Sequence, residues 1–543
     1  MDEQWRRFGL PSAMMLAACV WIFSWSRLYY GLDLIQESRH VLYQLDLLVH
    51  EGFFRKELGL DQLAQLLVYP FFRLANELTG RLSSEGIVLH LRELKLGLSW
   101  LFALLLGFVF RHRVAPFATL LFAAPLVSFV PLNVMGVHPL SMASLLGVTV
   151  VASAWRWMQA PTAVKSWILP LTGFLLGVAC PETLPVLVLG VLAMMLRPAR
   201  AGEDGLVKMH LAASLNLAAF LAFLAVREIN PEGFREAWHV QNNLLGWKGV
   251  AADAWVLPGG HMGLVFLLSL VFAFVLPARF FHFLFAALAM FFAIVGWPQA
   301  PYPAEFIIVL MSPLVLSHFW KIRASLPEDF KPGFLIAASL SLALVLGFTR
   351  GLPGVAVGLF PLMIFFFASG WVRDVKWPVL VSAFCFSMLL VVAQYQRMPE
   401  GQTRMASLDE IKTGRYQGLW TTRPISQEIE SVTASLERLP PGPVSLLVYP
   451  ERPGYYLLSE LDALGFLYRF PVSTALRDET VAYFSGAENL PDVTIRATSN
   501  TGTETSGLGE FFENRADYQL FEATPRYQIH VKKEFVENAM NRL

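Results

Sequence analysis

Charge is what this sequence has little of. Only 15% of its 543 residues are charged, against 55% hydrophobic, and its mean hydropathy is +0.50. A soluble chain carries roughly a quarter charged residues. The balance therefore excludes an ordinary soluble globular protein and indicates a membrane protein of many spans. The charges that exist cancel to a formal net of zero, so no basic surface for nucleic acid is expected. Cysteine is scarce as well. Cys19, Cys180 and Cys385 lie far apart in apolar segments, which excludes a disulfide framework and any Cys/His metal spacing. The tail from about 396 to 543 holds no Gly-rich phosphate fingerprint. Arg6 and Arg7 precede a long apolar run without a small-residue cleavage site, and this start reads as a retained signal anchor.

What is there is a succession of apolar runs. A span needs about 20 such residues. Candidates fall near 12–30, 93–110, 115–132, 139–155, 167–180, 182–196, 209–227, 263–278, 280–297, 305–320, 333–349, 353–372 and 377–395. The fold class expected is an α-helical polytopic membrane protein of about 13 spans with a C-terminal extracytoplasmic α/β domain. Basic residues support the topology. Arg111 and Arg113, Arg156 and Lys165, Arg197, Arg200 and Lys208, Arg279, then Lys321, Arg323 and Lys331, then Arg373 and Lys376 fall in alternate short loops. Those loops are expected on the cytoplasmic side with the N-terminus. An odd number of spans then puts the tail outside.

Two domains are expected, 1–395 in the membrane and 396–543 outside it. The first outer loop, 31–92, contains LDQLAQLLVYPFFRLANEL, with Leu60, Leu63, Leu67, Phe71 and Leu74 on one helical face. It reads as an amphipathic helix on the membrane surface, with a further span as the alternative. A second outer loop, 228–262, is rich in Trp, Asn, Gly and His. In the tail, PISQEIESVTASLERL and YYLLSELDALG read as helices, and PVSLLVYP, FLYRFP, DVTIRA, YQLFEA and YQIHVKK as strands. Alternation of this kind indicates a small layered α/β domain.

Chemistry concentrates at the mouth of the first span. In YYGLDLIQESRHVLYQ, residues 29–44, Asp33, Glu37, Arg39 and His40 fall within eight positions. Ionisable groups cost less at the interface than at the bilayer centre. A partly desolvated carboxylate there is suited to act as a general base. The alternative is that these residues cap the span and solvate the loop.

The order of pieces is informative. A span is followed by a short acidic stretch with Asp33 and Glu37, then LLVHEG ending at Gly52, the amphipathic stretch 60–78, and Arg92 opening the second span. Further on come LPLTGFLLGVACPETLPVLVLGVLAM, APYPAEFIIVLMSPLVL and, in the tail, VSLLVYPERPGYYLLSELDALGFLYRFP. This series resembles GT-C type polytopic membrane glycosyltransferases, such as bacterial protein O-mannosyltransferases and lipid A aminoarabinose transferases. The resemblance implies transfer of a sugar from a polyprenyl-phosphate donor to an envelope glycan, lipid or protein at the outer face of the bacterial inner membrane. It implies inversion at the anomeric carbon, with Asp33 or Glu37 as the base. No cofactor is expected, and the sequence leaves open whether a divalent metal takes part.

Three positions depart from the family's pattern. Gln36, not an acid, precedes Glu37. The next outer loop offers His138 where a second acid is usual. Pro301 precedes Tyr302 where a basic residue is usual. Arg39, His40, Arg73 and Arg92 are candidates for the donor phosphate. Arg235, His239, Lys248 and His261 of the 228–262 loop are alternatives for the phosphate, and His138, Arg235, His239 and Tyr302 are candidates for substrate contact. The competing readings are a transporter or flippase for lipid-linked glycan and a non-catalytic envelope-assembly member of the same superfamily. Few charges lie within spans and no internal repeat is evident, which ranks the transporter lower.

Overall fold

The structure is a computed structural model. It describes residues 10–49 (Asp33 and Ile35 apart), 63–80, 85–109, 163–179, 217–225, 408–439, 445–449, 452–463 (Glu460 apart), 490–497 and 508–540, with isolated positions at 146, 149, 150, 227, 275 and 484. By contact density the chain divides into two compact units. One is Met1–Tyr30, Leu60–Phe72 and Leu91–Gln402; the other is Gly31–Gly59, Arg73–His90 and Thr403–Leu543.

In the first unit, α1 (Leu10–Arg27) occupies the first expected span. It buries Ala17, Val20 and Ser24, three to four residues apart, and leaves Met14, Met15, Ile22 and Phe23 exposed. One face packs on protein, and the outward face is just as apolar. Helix α4 (Ile87–Val109) covers the second expected span as far as Val109 and likewise exposes Leu101 and Leu104. Helix α5 (Ala163–Ala179), with Pro170 inside it, covers the fifth. Outward-facing apolar side chains of this kind mark a surface that meets lipid or another chain. Among the described residues no helix is long and apolar enough to cross a membrane. Most of the other expected spans lie outside the described residues.

The division between the units falls inside two helices. Helix α3 (Leu63–Thr79) lies in the stretch where an amphipathic helix is expected from the sequence. It buries Val68, Tyr69 and Phe72 and exposes Phe71, Leu74 and Leu78. The two apolar stripes are half a turn apart, so the helix is greasy on a packed side and on an open side.

The second unit carries the α/β tail. It opens with a small hairpin, β1 (Leu408–Glu410) paired antiparallel with β2 (Trp420–Thr422). Helix α6 (Arg423–Glu437) follows, started by Pro424, whose missing N–H is not needed in the first turn. It buries Ser426, Ile429, Val432 and Ser435 at helical spacing. Among the described residues a five-stranded mixed sheet has the order β4-β3-β5-β7-β6. Its strands are β3 (Ser445–Tyr449), β4 (Asp462–Ala463), β5 (Val493–Ala497), β6 (Tyr518–Ala523) and β7 (Tyr527–Lys532). Central strands covered on both faces read as unbroken apolar runs, and SLLVY is buried from Leu446 to Tyr449. One face carries Leu447, Tyr449 and Tyr518 against Phe484, Leu508 and Phe512, the last two from α7 (Leu508–Glu513). Helix α8 (Lys533–Met540) ends the described chain.

The strands expected at PVSLLVYP, DVTIRA, YQLFEA and YQIHVKK are present, as is the helix of PISQEIESVTASLERL. FLYRFP lies outside the described residues. YYLLSELDALG is a correction. It forms a buried 3₁₀ turn, Pro453–Leu458, followed by edge strand β4, and not an α-helix. Two bonds explain the tighter winding. Val448 N–H donates to the Tyr456 hydroxyl at 2.9 Å, and Gly454 N–H donates to the Leu34 carbonyl at 2.7 Å. Asp462 and Ala463 then pair parallel with Ser445 and Leu446, which requires extended backbone.

Candidate functional site

The acidic mouth begins where α1 stops. Gly31 turns the chain with φ +78°, a left-handed conformation that glycine adopts without penalty, and its N–H donates to the Trp420 carbonyl at 2.8 Å. Leu32 and Leu34 are buried. Helix α2 (Gln36–Val49) starts two residues later with Glu37 in its first turn, where a carboxylate is favoured by the helix dipole. Asp33 lies outside the described residues.

Glu37 is 1% exposed and His40 5% exposed, one turn apart on α2. The His40 ring meets Tyr43 edge-on at 6.2 Å. Ser38, between them, is fully buried and lies 2.8 Å from the Tyr416 hydroxyl. Arg39 belongs to the same helix. Glu37 and His40 are therefore packed side chains at a helix start and do not project into solvent.

The cationic candidates stand in different surroundings. Arg73 lies on the exposed part of α3 and pairs with Glu77 one turn on at 2.9 Å. Arg92, in α4, is 1% exposed, and its Nη1 donates to the Leu28 carbonyl at 2.5 Å. Its guanidinium thus ties α4 to the end of α1. His138, Arg235, His239, Lys248, His261 and Tyr302 lie outside the described residues. Among the described residues no group of His, Cys, Asp and Glu is placed to hold a metal ion.

Sequence reading passed over the tail residues that hold this mouth. Tyr416, in the turn between β1 and β2, reaches Ser38 and also donates to the Gly454 carbonyl at 3.0 Å. The same turn takes Gly86 N–H on the Gly414 carbonyl at 3.0 Å and Val88 N–H on the Arg415 carbonyl at 3.3 Å. The one available signal was the RPG step before the paired tyrosines. A glycine inside a buried run marks a close approach of backbone, and here it is the approach to Leu34.

A buried carboxylate also organises the tail. Glu428, on α6, accepts from Arg452 Nη1 at 2.5 Å, from Arg526 Nη1 at 2.7 Å and from the Tyr455 hydroxyl. Burial and the Glu428 charge push the Tyr455 phenol well above its ordinary value. Its proton stays on, to be donated. This cluster joins α6, the 3₁₀ turn and the β6–β7 hairpin, and every member is engaged.

No family model and no curated protein matches the chain. Solved structures do. A crystal structure of ArnT from Cupriavidus metallidurans bound to undecaprenyl phosphate is similar over 96% of this chain and 97% of that one, with a TM-score of 0.52 at 14% identity. The apo structure of the same protein is similar over 96% and 98%, with a TM-score of 0.46 at 14% identity. ArnT is the lipid A aminoarabinose transferase, a GT-C enzyme. The resemblance read from the sequence is thus matched by likeness in fold.

Proposed function

We propose that this chain is a GT-C type glycosyltransferase that moves a sugar from a polyprenyl-phosphate donor to an envelope glycan, lipid or protein. The observation that carries the reading is the fold shared over 96% of the chain with ArnT bound to undecaprenyl phosphate. It is supported by the acidic, buried start of α2 directly after the first apolar helix. In this reading residues 1–395 form the membrane domain and 396–543 an extracytoplasmic domain, in the inner membrane of a bacterium. The N-terminus is cytoplasmic.

The chemistry follows from the donor. Asp33 or Glu37 takes the proton of the acceptor hydroxyl as the acceptor oxygen attacks the anomeric carbon from the face opposite the phosphate. The new C–O bond forms while the bond to the phosphate oxygen breaks, through an oxocarbenium-like transition state, and the configuration inverts. Polyprenyl phosphate leaves with the bond's electron pair. Cations lower the barrier by meeting the charge that grows on it. Arg39, His40, Arg73 and Arg92 are assigned to this role, and His138, Arg235, His239 and Tyr302 to sugar or acceptor contact.

The test is sugar transfer by the purified protein in lipid from radiolabelled undecaprenyl-phosphate sugars to envelope extract. Wild type is compared with Asp33→Asn and Glu37→Gln, each checked for folding. Wild type is expected to transfer, and the variant lacking the base to lose about 10²–10⁴-fold in rate. Full activity in both variants removes the base assignment. No transfer from any donor removes the transferase reading.

A further inference from the structure

The stretch that supplies the proposed base is held in place by a closed circuit of hydrogen bonds from the tail. Gly454 N–H donates to the Leu34 carbonyl at 2.7 Å. The Tyr416 hydroxyl donates to the Gly454 carbonyl at 3.0 Å and lies 2.8 Å from Ser38 Oγ. A phenol has one proton. With it given to Gly454, Ser38 is the donor to Tyr416. The circuit runs from Leu34 through the first turn of α2 to Ser38, across Tyr416 to Gly454, and back to Leu34. Glu37 lies inside it, one residue from Ser38.

Sterics permit only one residue at the closing corner. A Cβ on residue 454 would stand 2.7 Å from Leu34 Cδ2, 2.8 Å from the Tyr416 hydroxyl and 2.9 Å from the Leu34 carbonyl oxygen. The β1–β2 hairpin also bonds the backbone at Gly31, Gly86 and Val88. One short element therefore grips the segment just after α1, the start of α2 and the start of α4.

We propose that this hairpin is a clamp and that Tyr416 is a positioning residue for sugar transfer. By fixing the first turn of α2 it sets the direction in which Glu37 presents its carboxylate. The tail domain is then a working part of the transfer site and not an acceptor-binding appendage alone. This inference rests on the transferase reading for its kinetic half; its structural half stands apart from it.

Two readouts on the full-length protein in lipid test both halves: transfer kinetics, and hydrogen exchange at the amides of 34–40. The variants are Tyr416→Phe, Ser38→Ala and their double, with Tyr527→Phe as control. Tyr527 bonds Ser431 and Ser435 within the tail. A hydroxyl lost there removes tail hydrogen bonds to Ser431 and Ser435 and none of the circuit's own, while the ring that packs on Tyr455 stays. The expected result is that Ser38→Ala raises exchange at 34–40 about tenfold, as for one lost buried hydrogen bond, and that Tyr416→Phe, which also loses the bond to Gly454, raises it at least as much. Each is expected to lower kcat about tenfold with donor KM within about twofold. The double is expected to be no worse than the poorer single, because both delete the same bond. Tyr527→Phe is expected to leave both readouts at the wild-type level.

Unchanged exchange in Tyr416→Phe overturns the clamp. Raised exchange with unchanged kcat overturns the positioning role, and so does an equal loss of kcat in Tyr527→Phe. If wild type transfers no sugar from any donor, the transferase reading falls, and exchange alone then decides the clamp.

Discussion

Ser38 and Tyr416, 378 residues apart in the chain, meet through their hydroxyls at 2.8 Å in a fully buried contact. A bond between residues so distant means that the acidic stretch after the first helix takes its geometry from the end of the sequence. Neighbours of this kind decide how strongly a group is tied to its surroundings, and two cations of the site, Arg73 and Arg92, differ in this respect.

Arg73 is the cation whose two roles separate most cleanly. Its pair with Glu77 is open to water, with the side chains 55% and 57% exposed. Such an i,i+4 pair is worth at most about 0.5 kcal/mol. Arg73→Ala is therefore expected to leave the melting temperature within about a degree. If Arg73 meets the donor phosphate as proposed, the same variant raises donor KM several-fold. Thermal unfolding and transfer kinetics on one preparation check both.

Arg92 should behave differently. Its guanidinium is buried and donates to the Leu28 carbonyl at 2.5 Å. Arg92→Met leaves that carbonyl without its charged donor, at a cost of about 2 kcal/mol. Arg92→Lys is expected to recover only part of this, since an ammonium does not reproduce the planar fork. Unfolding midpoints in detergent for the three proteins test the order wild type, Lys, Met.

Glu428 accepts from three tail side chains. Glu428→Gln keeps its shape but weakens the bonds from Arg452, Arg526 and Tyr455, and is expected to cost about 2–3 kcal/mol. That figure is discounted from the cost of breaking a fully buried pair, because Arg452 and Arg526 are 30% and 46% exposed. Adding Arg452→Met to the Glu428→Gln variant should return part of the loss. Chemical denaturation with a tail-specific probe measures both steps.

A pH effect is expected at His530. It lies opposite Thr494 in the β5–β7 ladder, with Leu520 beyond it on β6. Burial, with Arg496 nearby, holds its imidazole below the ordinary 6.5. Among the described residues, Nδ1 of His530 and Oγ1 of Thr494 have no hydrogen-bond partner. Below pH 6.5 the unfolded chain takes up the proton before the folded one does. His530 therefore contributes stability that is present above 6.5 and lost as pH falls through its folded value. The stability gap between wild type and His530→Gln should narrow from about pH 7.5 to about pH 5.5. A gap independent of pH would remove this account.

The tail was legible where a local pattern and its packing agree. Helix α6 carries Ile429 and Val432 at helical spacing, and β3 is an apolar run between helices, so burial follows the sequence pattern. YYLLSELDALG has equally good helical spacing but winds as 3₁₀, because Tyr456 and Gly454 are committed to β3 and Leu34. That commitment comes from residues outside the segment, and periodicity does not register it. The candidate site shows the same division. Glu37 and His40 stand out because charge is rare beside an apolar helix. Ser38 and Tyr416 do not, because a serine and a tyrosine hundreds of positions apart carry no local signature of contact.

The glycine-closed circuit also orders events during synthesis. Leu34 and Ser38 leave the ribosome early, but their partners at Tyr416 and Gly454 come near the end. At about 5–20 residues per second, the interval is roughly 20–80 s. Throughout it the acidic stretch lacks its native neighbours. A chain cut short before residue 454 never acquires them, so the circuit doubles as a marker that translation has run far enough for the acidic mouth to take its working shape.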